Sequence, residues 1–496
     1  MHLLTTGATG LKNCQPDPAK PPFACPEPDT RIPNYASLTN TAFELSGPNL
    51  PYDSYTGDMV HRLFHMWQQS DCDVANATKT DPAGCKNDLY PYVGTARDDS
   101  GGNALGFYNV QKGQAPLFKW LADNYTIGDN YHQPDMGGTG VQHTMLGTAD
   151  NIYWEQFGNL PAQPPAKRVA DPTPKSATNV AFVNDERWTK CGDPAAPGIK
   201  PIMDYLKSLP WRPDLTASNC DPDRYYVINN TRPAYLSNGD INTAGITAGT
   251  VAPPSTVRTI GDALNEKNID WAFFGGGYNA AARFDSGSTN PIDVMIGTGG
   301  DWYCDICNPF QYAKSIMGDP AQRKEHIKDV IDFFGDLDHG QLRAVSYVKP
   351  DSFEDGHPGY SKPDLFEAMI KKILDGLHAH PNLFADTAVV ITFDEGGGYW
   401  DSGFVQPIDF FGDGPRIPLV VVSPFSRGGR VVHTYEDHAS VVKFIERNWK
   451  LAPLTGRSRD NLPNPVATSD NPYVPTNMPA IGDLFDMFQF GDVQTH

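Results

Sequence analysis

The chain has no apolar run approaching the ~18 residues that a membrane-crossing helix requires, so no helical span is expected. Positive charge is scarce: 39 Lys and Arg stand against 59 Asp and Glu, a net charge of −20 over 496 residues. That balance argues against nucleic acid or an anionic membrane surface as a partner. Beyond Cys304-Asp305-Ile306-Cys307 there is no second Cys-x-x-Cys pair, so a four-cysteine zinc site lacks its other half. His61 and His65 stand one helical turn apart, but Arg62 occupies the position where a zinc protease carries Glu. The start, Met1-His2-Leu3-Leu4-Thr5-Thr6-Gly7, has neither the basic residues nor the apolar stretch of an export signal.

What is present is a chain long enough to bury a large core, as one large domain or two. Its 46 Gly and 44 Pro imply long loops without reaching a low-complexity composition. Eight cysteines fall in four sequence-close pairs: Cys14/Cys25, Cys72/Cys85, Cys191/Cys220 and Cys304/Cys307. An even count in Pro- and Gly-rich loops predicts local disulfides and an exported, secreted or periplasmic protein, with a zinc site as the alternative. The cysteines thus suggest export while the N-terminus offers no signal for it.

One stretch organises the reading of the chain, Val389-Val390-Ile391-Thr392-Phe393-Asp394-Glu395-Gly396-Gly397-Gly398. Its β-branched run predicts a buried strand in a parallel sheet. Neighbouring strand residues face opposite ways, so Asp394 and Glu395 can share a target only if the backbone turns, which the glycines permit. Two convergent carboxylates suit a divalent cation; the plainer alternative is a solvated acidic cap on a strand. A second stretch, Gly137-Gly138-Thr139-Gly140, sets a hydroxyl just before a helical pattern over 141–146. There the free N–H groups of a helix start can bind an anion, or Thr139 can be an ordinary N-cap.

Asp58 reads as the N-cap of a helix over 59–69, with His61 flanking its apolar stripe. Residues 161–256 are rich in Pro, Asn and Asp and read as an insertion or cap on one domain spanning 1–496. A helix is expected over 320–334, strands over 270–274, 342–348 and 417–422, and a helix from an Asp437 cap to 449. Pro358 biases His357 towards an extended backbone in the loop after the strand at 342–348. Alternating strands and helices predict an α/β fold, a mainly parallel sheet sandwiched by helices with long loop insertions. Thr139, His357, Asp394 and Glu395 would all lie beyond strand ends, where such sheets form sites.

The order Thr-Gly-Asp-Met-Val-His61, Gly137-Gly138-Thr139, Asp355-Gly-His357-Pro358, Thr392-Phe-Asp394-Glu395-Gly-Gly-Gly398, Arg416-Ile-Pro and Asp437-His438-Ala-Ser-Val runs through most of the chain. In this order and spacing it resembles the phosphoesterase family of bacterial acid phosphatases and non-haemolytic phospholipases C, with an alkaline-phosphatase-like fold. The resemblance implies that Thr139 is the hydroxyl nucleophile and that Asp394 and Glu395, with Thr139, hold a divalent metal ion. It also implies that His61 and His357 surround the phosphoryl group. The substrate would be a small phosphate ester or a phospholipid head group, and acid-phosphatase-like monoester hydrolysis is expected ahead of phospholipase C activity. A non-catalytic relative that binds phosphorylated ligands is the rival from another class.

Three departures accompany the resemblance. Asn308 precedes Pro309-Phe310 where a family histidine is expected, Ser402 follows Asp401 where relatives often carry Asp-His, and residues 1–55 contain no counterpart of the family's Glu-Asn-Arg-Ser-Phe-Asp. The missing strand and missing export signal together lead to the expectation that the sequence is N-terminally incomplete.

Overall fold

Val389–Thr392 does form a strand, and its one partner among the described residues, Leu419–Val422, runs antiparallel to it. Leu419–Val422 pairs antiparallel with Thr126–Gly128, which pairs parallel with Val431–Val432 to complete four strands. The expectation of a parallel setting for the carboxylate strand is therefore corrected. A parallel neighbour needs a crossover, usually a helix; here the chain passes from Thr392 to Leu419 without helix and comes back alongside itself. Two antiparallel steps leave Val389–Thr392 and Thr126–Gly128 pointing the same way. Leu419 pairs with Thr392 on one side and Gly128 on the other, so both strands end at one edge of the sheet.

A second sheet holds three parallel strands in the order Val345–Lys349, Trp271–Gly275, Ile327–Asp329. The middle strand follows helix Ile260–Glu266, whose N-cap Thr259 forms a reciprocal capping box with Asp262. The third strand interrupts the helix expected over 320–334, splitting it into Pro320–His326 and Val330–Asp338. Ile327 and Lys328 pair with Phe273 and Phe274, and that distant pairing overrides a locally helical pattern. Ala272 and Phe274 of this sheet share one apolar cluster with Ile391, Val420 and Val422 of the other. Helix Pro363–Ala379 supplies Met369, Ile370 and Leu374 to the same cluster. The result is a mixed helix-and-sheet architecture with short sheets, compatible with an α/β fold. Among the described residues the parallel pairing of the three-stranded sheet stands beside the mixed four-stranded sheet that carries the acidic turn.

This computed structural model describes residues 42–45, 50–87, 89–90, 104–172, 186–212, 218–299 and 302–490. Within 161–256 it contains helices Ile199–Ser208 and Thr243–Ala248. Ile199 and Ile202 pack in one cluster with Leu63, Trp67 and Phe410. Disulfides join Cys72 to Cys85, Cys191 to Cys220 and Cys304 to Cys307; the expected Cys14/Cys25 pair lies outside the described residues. Among those residues no helix is long and apolar enough to cross a membrane.

Candidate functional site

At the shared edge of the four-stranded sheet the backbone turns sharply after Glu395. Gly397 and Gly398 have φ of 58° and 73°, the left-handed region that glycine enters without steric cost. Gly398 also packs so tightly that a Cβ there would lie 2.6 Å from the Met59 side chain. The turn sends Glu395 inward, where it is buried, and leaves the Asp394 side chain a quarter exposed.

Thr139 begins helix Thr139–Thr148, but the N-cap is Gly138, which has no side chain to cap the helix. The Thr139 hydroxyl instead donates to Glu395 Oε1 at 2.9 Å. That settles one local alternative, because the hydroxyl is not used to satisfy its own helix start. Asn230 Oδ1 accepts from the Gly140 N–H at 3.0 Å, and Arg62 closes over the glycine loop. A Cβ on Gly138 would lie 2.5 Å from Arg62 Nη1.

The helix expected over 59–69 begins only at Leu63, with Arg62 at its N-cap and no side-chain cap from Asp58. Residues 59–61 stay outside the helix, where Gln69 Nε2 donates to the Val60 carbonyl at 2.8 Å. His61 therefore reaches the site from the irregular segment that precedes the helix. Its Nδ1 lies 2.5 Å from the Met59 carbonyl oxygen. A carbonyl only accepts, so Nδ1 carries the ring proton and Nε2 faces Glu395 Oε1 at 3.3 Å. Thr139, His61 and Glu395 thus meet at a single carboxylate oxygen.

His357 is placed differently. It stacks on Tyr360 with ring centroids 4.1 Å apart, and its Nδ1 lies 2.6 Å from the Pro358 carbonyl. Asp355, paired with Lys349 Nζ at 2.8 Å, accepts from the His357 backbone N–H at 2.9 Å and so fixes the loop. The loop borders the acidic turn: a Cβ on Gly397 would sit 3.9 Å from Pro358 Cγ. The His357 ring makes no hydrogen bond to Thr139, Asp394 or Glu395.

Burial and the neighbouring Asp394 charge push the Glu395 carboxyl well above the usual carboxylate range. Its Oε2 is buried without a hydrogen-bond partner. A cation would relieve both conditions, and two carboxylates with a hydroxyl form an all-oxygen donor set suited to a hard divalent ion. The fit is partial, since no three His, Cys, Asp or Glu side chains gather at metal-ligand spacing among the described residues.

Sequence reading missed several partners. His143, one turn after Thr139, bonds the Thr139 carbonyl through Nδ1 at 2.9 Å and lies 3.6 Å from Asp394 Oδ2. Its i, i+4 spacing from Thr139 was the available signal. Arg459 sits fully buried among Asp409, Asp413, Asp437 and Asp135 at 3.0, 2.7, 3.5 and 3.6 Å. It also donates to the Pro134 carbonyl, which supports the glycine loop from beneath; nothing local in sequence signals that ring. Of the departures, Asn308 carries a structural duty, and so does Asp401, the residue before Ser402. Asn308 caps the turn Pro309–Gln311 and donates to Tyr303 Oη at 3.0 Å. Asp401 receives the Arg416 guanidinium at 2.8 and 2.9 Å.

A hydroxyl at a glycine-rich helix start, hydrogen-bonded to a buried carboxylate beside an imidazole, is an arrangement able to support nucleophilic catalysis. The comparisons narrow it. Residues 35–452 match the Phosphoesterase family, and the chain belongs to that family. Among its relatives, the non-hemolytic phospholipase C of Burkholderia pseudomallei is 26% identical over 55% of this chain and 41% of its own length. The hemolytic phospholipase C of Pseudomonas aeruginosa is 25% identical over 50% of this chain and 35% of its own. The phosphate-repressible acid phosphatase of Penicillium chrysogenum is 26% identical over 47% and 52% respectively. The chain therefore spans about half or less of the length of each.

Proposed function

We propose that this chain is a metal-dependent phosphoric ester hydrolase of alkaline-phosphatase-like architecture, working on phosphomonoesters with Thr139 as nucleophile. The observation that carries the reading is the 2.9 Å hydrogen bond from Thr139 Oγ1 to buried Glu395 Oε1, with His61 Nε2 3.3 Å from the same oxygen. In this scheme Thr139 gives its proton towards Glu395 as Oγ attacks phosphorus, forming the Oγ–P bond and breaking the bond to the leaving oxygen. The leaving oxygen takes up that same proton, passed from Glu395 through the facing His61 Nε2. Water then attacks the phosphorus of the phospho-Thr139 ester, and the O–P bond to Thr139 breaks. The water's proton returns to Thr139 Oγ by way of Glu395 as phosphate leaves. His357 is assigned to the substrate side, where its loop meets the acidic turn. Arg62, against Gly138, adds positive charge where phosphoryl oxygens would gather. Asp394, Glu395 and Thr139 would hold a divalent cation, which when bound supplies charge stabilisation for the nucleophile and the phosphoryl oxygens.

The disulfides favour an oxidising, exported location for this activity. The phospholipase relatives motivate a second reading, cleavage of a phospholipid head-group diester. Release of phosphate from p-nitrophenyl phosphate against release of phosphocholine from phosphatidylcholine, each with and without added divalent metal, separates the two. Turnover of neither substrate under any metal condition would refute hydrolysis and leave phosphorylated-ligand binding.

A further inference from the structure

The acidic turn is gripped from outside the site by two fully buried side chains. His438 is the first residue of helix His438–Trp449, and the preceding Asp437 caps that helix with a capping box to Ser440. The His438 Nε2 lies 2.7 Å from the Asp394 carbonyl oxygen, and its Nδ1 lies 2.8 Å from Tyr131 Oη. Because the carbonyl can only accept, Nε2 carries the ring proton and Nδ1 accepts from the tyrosine hydroxyl. A directed chain results, from Tyr131 O–H through His438 to the peptide joining Asp394 and Glu395.

Gln133 holds the other side. Its Oε1 accepts from the Gly396 N–H at 2.8 Å, while its Nε2 donates to the Asp135 carbonyl at 2.8 Å and so fixes which way the amide points. One clamp grips the carbonyl before Glu395, and the other grips the N–H after it. The glycines that let the backbone turn also leave it free to turn elsewhere, so an external restraint is needed to hold one conformation. We propose that His438 and Gln133 are positioning residues that fix the backbone at Glu395 and thereby bring its carboxylate to Thr139. The catalytic consequence rests on the hydrolase reading above; the conformational one does not.

The test compares His438→Gln, His438→Asn and Gln133→Leu in the full chain. Gln returns an N–H near the Nε2 position, whereas the shorter Asn leaves the Asp394 carbonyl unserved. Two quantities are read: kcat and KM on p-nitrophenyl phosphate, and amide hydrogen exchange of the 393–399 segment. Removal of such supporting partners typically costs 10–100-fold. His438→Asn should lose about that much kcat with KM little changed and should speed exchange at Glu395 and Gly396. His438→Gln should keep both properties near wild type. Equal losses in the Asn and Gln variants, with exchange of the segment unchanged, would overturn the proposal. If His438→Asn does not fold, Gln133→Leu decides: faster exchange reaching Asp394 and Glu395 supports the clamp, and faster exchange confined to Gly396 refutes it. Should the wild type show no turnover, the hydrolase reading fails, and the exchange comparison alone decides the clamp.

Discussion

Replacing Thr139 with Val separates the energy that holds this site together from the energy it would spend on chemistry. The valine side chain is nearly isosteric, and the helix start loses no cap, because Gly138 is the N-cap and the Thr139 hydroxyl does not serve the helix. What disappears is one hydrogen bond to a buried carboxylate, 2.9 Å long. Such a bond to a charged group contributes about 1.5–3 kcal/mol, and burying the added methyl returns about 0.8 kcal/mol. The net destabilisation is roughly 1–2 kcal/mol, a Tm decrease of a few degrees at most in a chain of this size. A lost nucleophile costs far more: a thousandfold fall in kcat corresponds to about 4 kcal/mol of barrier. Thermal unfolding and steady-state hydrolysis of p-nitrophenyl phosphate, measured on the same preparations, should therefore diverge. Thr139→Val should stay folded but lose at least three orders of magnitude in kcat, and Thr139→Ser should stay within about tenfold of wild type. A folded valine variant that keeps more than a tenth of wild-type kcat would refute the nucleophile assignment.

Glu395→Gln keeps an acceptor for Thr139 but removes the charge, so kcat should fall by about 10²–10⁴ and bound divalent metal, measured by elemental analysis, should fall with it. Asp394→Asn should lower metal content likewise with little effect on folding, because this side chain is already partly solvated. Burial, against the opposing Arg459 charge, pushes the Asp135 carboxyl up to about 7. The native state thus keeps a proton that the unfolded chain releases near pH 4, and stability should fall as pH rises from about 4 to 7, by up to about 1.4 kcal/mol per unit. Asp135→Asn, which can still accept from Asn151, should flatten that slope in urea unfolding carried out across the same range. Non-reducing mass spectrometry should find the Cys191–Cys220 bridge, and replacing both cysteines with serine should cost about 2–4 kcal/mol for a loop with separation 29.

Local chemistry in the sequence was enough to mark several features. The β-branched run followed by Asp394, Glu395 and three glycines announced a strand that ends in an acidic turn. Gly137-Gly138-Thr139 announced a helix start, Asp437 announced its cap, and closeness along the chain suggested the three cysteine pairs that the described residues contain. In each case the signal and its structural consequence lie within a few turns of chain, or within one short loop.

Tertiary structure decided whatever depended on segments distant in sequence. The direction of Leu419–Val422 beside Val389–Thr392 followed from the path of the connecting loop, not from either strand's composition. Ile327–Asp329 became a strand because Trp271–Gly275 offered it an edge, although its own neighbours are helical. His438, Gln133 and the aspartate ring around Arg459 look like ordinary polar residues until the fold buries them. Once water is excluded, each polar group must find a partner within the protein. That requirement, imposed by burial, gathers the partners of the acidic turn from distant parts of the chain.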